Sequence, residues 1–205
     1  MFSLFMLVCA LASARDLQQV LKSVEQRYNR AATLEVRFEQ RYLAQGRATR
    51  LESGDLSLRK PGRMRWNYAN PAGKVFVSDG KWIWFFSPTE NRAERSQLKN
   101  ADDFRAPLAF LLGKLDFRRD FSQFEFKEVG GDANIVAHAK NDRLPYTQVE
   151  FTVTPENVIR RLVVTGVDAT VMEFRFTGER LNPPLSDALF RYSPPKGVEI
   201  VEAND

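Results

Sequence analysis

Residues 54–68 read GDLSLRKPGRMRWNY, and residues 75–86 read VFVSDGKWIWFF. In the first stretch apolar side chains alternate with polar ones, and in the second Asp79-Gly80 falls between two apolar runs. A period of two is typical of a strand with one buried face, and Asp-Gly in this position favours a hairpin. The two stretches therefore predict an antiparallel sheet with one apolar, aromatic-rich face, which must cover either a core or a ligand.

The same alternation continues on both sides of this region. It begins at Leu34 and runs to Tyr42 as a long predicted strand with one solvent-exposed face. Further strands are predicted at 49–58, 63–68, 74–78, 81–86, 92–98, 124–129, 135–139, 148–154, 158–167, 170–177 and 198–201. A series of strands this long predicts one large antiparallel sheet that curls on itself and leaves a concave face.

Two segments have helical spacing instead. Asp16 is expected to cap a first helix, whose apolar stripe is Leu17, Val20, Leu21, Val24 and Tyr28. A second, short helix is expected to start at Pro107 and end at Gly113. Its apolar residues are Leu108, Leu111, Leu112 and Leu115, with Phe104 and Phe110 beside them. Both helices are expected to lie across the mouth of the curled sheet.

Length and composition favour one secreted domain. The chain has 205 residues and a net charge of +4. Residues 1–14 predict a signal peptide, because a short apolar run ends in Ala12-Ser13-Ala14 before Arg15. Residues 15–205 then form the predicted domain. The one cysteine, Cys9, lies inside the signal peptide, so the mature chain has no thiol.

The sequence offers little for catalysis. It contains one histidine, His138, and no nucleophile elbow, phosphate-binding loop or zinc motif. We therefore expect no enzyme, no cofactor and no metal, although a pair of catalytic carboxylates leaves no spacing signature and stays open. Aromatic residues interleaved with Arg63, Arg65 and Lys81 could stack on nucleic acid, but the secretory segment argues against such a partner.

Three motifs resemble the periplasmic outer-membrane lipoprotein carrier family, or LolA-type family. They are residues 54–66, residues 77–86 and the closing FRYSPPKGV of residues 190–198. The resemblance covers nearly all of the mature chain. It implies a mainly β (α+β) fold, a single incompletely closed antiparallel β-barrel with a helical lid, for which we expect about ten or eleven strands.

The resemblance also implies a function. A member of this family binds the acyl chains of lipoproteins released by an inner-membrane ABC transporter and carries them through the periplasm to an outer-membrane receptor. We expect this chain to do the same, as a monomer. Two alternatives stay open, a periplasmic domain that senses lipidated proteins and an outer-membrane receptor anchored through Cys9.

The concave face is the expected lipid-binding surface. Its predicted lining comes from the strands at Leu34, Val36, Phe38, Leu56, Leu58, Met64, Trp66 and Trp84 and from the second helix at Phe104, Leu108, Leu111 and Leu112. Family members commonly carry an arginine that latches the lid, and Lys60 stands at that position here. Lys60 is a point donor rather than a planar fork, so we expect a looser latch. Arg59 points to the other face of its strand and cannot replace it.

Overall fold

A twelve-stranded sheet forms the body of the structure, a computed structural model that describes residues 15–98 and 115–202. The strands are β1 (Thr33–Leu43), β2 (Arg50–Arg59), β3 (Arg63–Asn70), β4 (Val75–Asp79), β5 (Trp82–Ser87), β6 (Arg92–Gln97), β7 (Phe121–Val129), β8 (Asp132–Ala139), β9 (Tyr146–Val153), β10 (Ile159–Gly166), β11 (Val171–Leu181) and β12 (Glu199–Glu202). The helices are α1 (Leu17–Arg30) and α2 (Phe117–Asp120), with a 3₁₀ turn at Asp187–Phe190.

The strands lie in the order β12-β6-β5-β4-β3-β2-β1-β11-β10-β9-β8-β7. Neighbours are antiparallel with one exception, the parallel pairing of β12 with β6. The outermost strands, β12 and β7, are not joined, so the curled sheet remains open. This is the incompletely closed, mainly β fold that the sequence predicts.

The stretch that decides the fold forms β2, β3 and the turn between them. Gly54 lies so close to β3 that an added Cβ would sit 2.0 Å from the backbone oxygen of Asn67, so only glycine fits there. The predicted hairpin follows, with Gly80 at a φ of 97°. The Asp79 carboxylate accepts hydrogen bonds from the backbone N–H groups of Lys81 and Trp82, at 2.8 and 2.7 Å, which fixes the turn.

The sheet differs from the expectation in two details. It has twelve strands rather than about ten or eleven, and the short segment predicted at 198–201 is one of its two edge strands. That strand is parallel to β6 and not antiparallel, since the chain returns across the sheet before pairing. The predicted helix that begins at Pro107 lies outside the described residues.

Helix α1 forms as the sequence predicts. The Asp16 side chain accepts a hydrogen bond from the backbone N–H of Gln19 and so caps its first turn. The stripe residues Val20, Leu21, Val24 and Tyr28 are buried against the apolar face of the sheet. In the described part of the chain, no helix has the length and apolar character needed to cross a bilayer.

Aromatic rings from β7, β9 and α2 meet in one part of the core. Phe151 is 1% exposed, and its ring lies edge-on to those of Phe117 at 5.2 Å and Phe121 at 6.1 Å. We predict that Phe151→Ala lowers the free energy of unfolding by about 3–5 kcal/mol, because it leaves a cavity in this cluster.

Val129→Ala serves as the control, since Val129 on β7 is 52% exposed. It should change the free energy of unfolding by less than about 0.5 kcal/mol. Urea denaturation monitored by circular dichroism would measure both. Equal losses in the two variants would contradict the assignment of the core.

Candidate functional site

The concave face of the sheet holds a cavity of about 410 Å³. Its walls come from β1, β2, β3, β4, β5, β6 and β11. The described side chains that line it are Gln40, Tyr42, Arg50, Glu52, Met64, Trp66, Tyr68, Lys74, Phe76, Phe85, Glu94, Met172 and Phe174. This volume lies within the usual range for pockets that hold small organic ligands.

The floor of the cavity is apolar and aromatic. Trp66 is buried at its centre, edge-on to Phe38 with ring centroids 4.5 Å apart, and its ring centroid is 5.8 Å from that of Phe174. Met64 and Met172 lie beside them, and both are less than 5% exposed. Flexible methionine side chains adapt to ligands of irregular shape, so this floor suits hydrocarbon.

The other part of the cavity wall is polar. The Lys74 ammonium lies 2.7 and 2.6 Å from the two carboxylate oxygens of Glu52, and 4.3 Å from the centroid of the Tyr68 ring. Arg50 stacks over the Tyr42 ring at 4.5 Å. The cavity is therefore amphipathic, with charged groups held against aromatic faces at one end and hydrocarbon at the other.

Helix α1 is tied to the sheet through Tyr28 and Arg27. The Tyr28 hydroxyl donates to a Glu179 carboxylate oxygen at 2.6 Å and accepts from the backbone N–H of Ile159 at 2.9 Å. Arg27 donates to the other oxygen of Glu179 at 2.6 Å. Burial, together with the Glu179 charge, raises the pKa of Tyr28, so its hydroxyl stays protonated as a donor.

Lys60 also reaches α1. Its ammonium donates to the backbone carbonyl of Tyr28 at 2.6 Å, in the last turn of the helix, where a cation also interacts favourably with the helix dipole. Burial lowers the pKa of Lys60. Arg59 points to the opposite face of the sheet, as the strand period predicts, and pairs there with Asp187.

Residues 115–117 also form hydrogen bonds with α1. Asn29 and Leu115 exchange two hydrogen bonds, of 2.8 Å to the Leu115 carbonyl and 2.7 Å from its N–H. The backbone N–H of Phe117 donates to the Glu25 carboxylate at 2.8 Å. Polar contacts therefore fix α1 along its length, while its apolar stripe covers part of the concave face.

The structure brings seven of the predicted lining residues into one apolar cluster. They are Leu34, Val36, Phe38, Leu56, Leu58, Met64 and Trp66. Of these, Met64 and Trp66 line the cavity. Leu34 and Leu58 line a small cleft beside Tyr28 and Lys60, under the end of α1. Phe104, Leu108, Leu111 and Leu112 lie outside the described residues.

Trp84 does not line the concave face, so its prediction as a lining residue is wrong. Its neighbours on β5, Ile83 and Phe85, face the concave side, so Trp84 points away from it. Its ring lies 5.9 Å from that of Tyr192 in the C-terminal tail. The run Trp82–Phe86 is apolar throughout, so alternation could not tell which of its aromatic residues face inwards.

Four other lining residues were not predicted, although the sequence indicated them. Phe76, Phe85, Met172 and Phe174 are large apolar residues of predicted strands, and they line the cavity. Glu52 lies on β2 and Lys74 directly precedes β4, with β3 between these two strands, and no local pattern indicates such a pairing.

Comparison with known proteins shows to which family this chain belongs. The profile of the family described as "Outer membrane lipoprotein carrier protein LolA" matches residues 29–193. The chain belongs to the LolA family. It is 28% identical over 202 residues to the outer-membrane lipoprotein carrier protein of Nitrosomonas europaea, covering 98% of this chain and 97% of that protein. The corresponding protein of Sodalis glossinidius is 29% identical over 198 residues, with coverages of 96% and 93%.

The fold of this LolA-family chain also occurs in a distant protein of known structure. An uncharacterized conserved protein from Thermus thermophilus superposes with a TM-score of 0.54 at 12% identity. The match covers 90% of this chain and 98% of the other. At this identity the likeness shows the shared fold alone.

We predict that Tyr28→Phe lowers the free energy of unfolding of this LolA-family chain by about 1–3 kcal/mol, because Glu179 and the Ile159 N–H both lose a buried partner. Tyr192→Phe is the control, since the buried Tyr192 hydroxyl has no hydrogen-bond partner among the described residues. That variant should be neutral or slightly stabilising. Thermal unfolding would compare the two, and a neutral Tyr28→Phe would show that the hydroxyl does not anchor α1.

Proposed function

We propose that the protein is a periplasmic carrier that binds the acyl chains of lipoproteins released from the inner membrane and delivers them to the outer membrane. The observation that carries this proposal is the amphipathic cavity of about 410 Å³ in the concave face, next to a helix held by polar contacts. Membership of the LolA family, in which the relatives are named as lipoprotein carriers, supports it.

The physical need for such a carrier follows from the cost of hydrating acyl chains. Each methylene group exposed to water costs about 0.8 kcal/mol, so several acyl chains cost tens of kcal/mol. A lipoprotein therefore does not cross an aqueous compartment unless its chains are shielded. In this proposal the aromatic and methionine floor around Trp66 shields the acyl chains from water.

Delivery requires that the shield also release its ligand. Helix α1 covers the same apolar cluster that extends into the cavity floor, so helix contacts and acyl contacts compete for one surface. We propose Lys60 as the latch of this lid, because it holds the last turn of α1 through a single carbonyl. As a hydrogen bond from a charged donor, this contact is worth about 1.5–3 kcal/mol, and acyl binding must also offset the other polar contacts of α1.

The proposed route defines the compartment and the partners. Residues 1–14 are proposed to be a signal peptide that directs the chain to the periplasm and is removed before Arg15. The proposed donor is an inner-membrane ABC transporter of the Lol type, and the proposed acceptor is an outer-membrane lipoprotein receptor. We propose that the carrier acts as a monomer, since β12 covers the edge of β6 within the same chain.

Two neighbouring phenylalanines on β5 allow a direct test. Phe85 lines the cavity, whereas Phe86 faces the C-terminal tail, and both are half-buried. We predict that purified mature protein releases lipoproteins from spheroplasts into solution. Phe85→Ser should weaken acyl binding about tenfold and reduce release, because it removes apolar contact with the ligand. Phe86→Ser should release as much as the unchanged protein.

The release assay reads out soluble lipoprotein by immunoblot, and displacement of a fluorescent acyl probe gives the affinities. Absence of release by the unchanged protein would overturn the carrier proposal. Equal loss in both variants would place the acyl chains outside this cavity.

A further prediction tests Lys60 as the proposed latch. Lys60→Met should raise the rate of amide hydrogen exchange in α1 about ten- to hundredfold, because the Tyr28 carbonyl loses a charged donor. Lys60→Arg should lower that rate, since a planar guanidinium offers more donors. Lys22→Met, on the exposed face of the same helix, is the control and should leave exchange unchanged. Exchange that is the same in all three variants would show that Lys60 is no latch.

A further inference from the structure

One end of the sheet carries an exposed rim beside the cavity. Among the described residues, five large apolar side chains are exposed, and three of them lie at this end. They are Leu43 at the end of β1, Leu51 near the start of β2 and Val167 in the turn between β10 and β11, with exposed fractions of 36%, 62% and 65%. We call these three residues, together with Arg47 and Arg50, the loop rim.

The strand pairing brings the members of the loop rim together. Leu43 is paired with Val171, the first residue of β11, and Val167 lies in the turn just before it. On its other side β1 is paired with β2, which places Leu51 at the same end of the sheet. The loop from β1 to β2 projects into solvent, because a Cβ added to Gly46 would meet no atom within 4 Å.

The cavity lies at the same end of the sheet. Tyr42 and Arg50 are paired neighbours on β1 and β2 that line it, and the Arg50 guanidinium lies over the Tyr42 ring at 4.5 Å. Helix α1 is tied to the opposite strand ends, since the Tyr28 hydroxyl contacts Ile159 at the start of β10 and Lys60 follows the end of β2. The loop rim therefore borders the cavity on the side away from these contacts of α1.

The loop rim has an excess of positive charge. In the part of the chain that the structure describes, neither Arg47 nor Arg50 forms an ion pair with a carboxylate. The carboxylates beside them already have partners. Asp168 accepts hydrogen bonds of 3.0 and 2.6 Å within its own turn, and Glu52 contacts the Lys74 ammonium at 2.7 and 2.6 Å.

The surroundings of the loop rim do not cancel this excess. Glu173, farther along β11, is only 7% exposed and contacts three arginines. Glu39, farther along β1, has Arg175 as its cross-strand neighbour. The other described turns at this end hold two further cations and two further carboxylates, which are Lys140, Arg143, Glu90 and Asp142.

We infer that the loop rim docks on the surface of an anionic lipid bilayer, with its three aliphatic side chains at the boundary between headgroups and acyl chains and its two arginines on the headgroups. The inference goes beyond the proposed function, because it adds the bilayer itself as a partner. It gains its purpose from that proposal. In a carrier docked in this way, the cavity lies next to the bilayer, so acyl chains need not cross bulk water between the two.

The chemistry and size of the loop rim favour a bilayer over a protein. Exposed aliphatic side chains with arginines beside them are typical of segments that lie in the membrane interface, where apolar burial and attraction to anionic lipids act together. A stable protein interface contains roughly 20–30 residues a side, many more than the loop rim offers. A second copy of the chain would bring two positive rims together, which charge repulsion disfavours.

Flotation with lipid vesicles tests the docking directly. The full mature protein is mixed with vesicles of phosphatidylcholine alone or of phosphatidylglycerol and phosphatidylcholine in equal parts. The unchanged protein should bind the anionic vesicles about tenfold more strongly, because each arginine near an anionic surface adds attraction. This preference should shrink as salt is raised.

Two exposed valines provide a matched pair of variants. Val167→Glu puts a carboxylate into the loop rim and should weaken binding to anionic vesicles at least about tenfold, through lost apolar contact and added repulsion. Val129→Glu makes the same change at the end of β7, at the opposite end of the sheet, where the side chain is 52% exposed. It should change binding less than about twofold, since it lies outside the docking surface.

A third variant isolates the charge. Arg47→Gln should weaken binding to anionic vesicles about fivefold and leave binding to phosphatidylcholine unchanged. Circular dichroism checks that each variant folds. Displacement of a fluorescent acyl probe, measured on the same samples, should be the same in Val167→Glu as in the unchanged protein, because Val167 does not line the cavity.

The outcomes separate docking from acyl binding. The docking inference is overturned if the unchanged protein shows no preference for anionic vesicles, or if Val167→Glu and Val129→Glu lose binding equally. Dimers that Val167→Glu dissociates, without any binding to vesicles, would assign the loop rim to a second copy and overturn the inference too. If the probe still binds when docking fails, the carrier proposal stands. If the probe does not bind the unchanged protein, the carrier proposal falls, and flotation alone decides the docking.

Discussion

The structure depends on one constraint, the need to keep the apolar concave face of an open sheet out of water. A sheet of twelve strands whose edges do not meet cannot bury that face by closing on itself. Helix α1 covers part of it, and its stripe of Val20, Leu21 and Val24 supplies the apolar contact. The cover is fixed by discrete polar ties, such as the Tyr28 hydroxyl and the Lys60 ammonium, and such ties can be broken singly.

The strands that line the cavity are also packed on their outer face, where the C-terminal tail lies. Phe190 in the 3₁₀ turn is 1% exposed, and Asp187 beside it pairs with both Arg59 and Arg63. Farther along the tail, the ring of Tyr192 lies against that of Trp84. The tail packs on the outer face of β3–β5 and then adds β12 at the edge, so these strands have partners on the side away from the cavity.

The strands, which depend on local alternation, could be predicted from the sequence. The side-chain contacts that depend on residues far away in the chain could not. Every observed strand overlaps a predicted one, because a one-residue slip would expose the apolar face and the pattern leaves little freedom. Trp84 was placed on the wrong face because the tail makes the outer surface of β5 apolar as well, which removes the contrast between faces. The Glu52–Lys74 pair was missed since β3 lies between β2, which carries Glu52, and β4, which follows Lys74. Both errors arise at the site rather than in the scaffold.

The stretch at residues 54–68 shows how one segment serves both faces. Its inward residues, from Leu56 and Leu58 to Trp66, build the apolar cluster, and Lys60 continues the same side to reach the helix. Its outward arginines bind the C-terminal tail, including Arg65 at the carbonyl of Leu189. Because the two sets alternate along the same backbone, a shift of this segment would disturb the cavity, the helix tie and the tail together. In the carrier that we propose, the strands stay fixed from outside while the hydrogen bond from Lys60 to the Tyr28 carbonyl is broken to release α1.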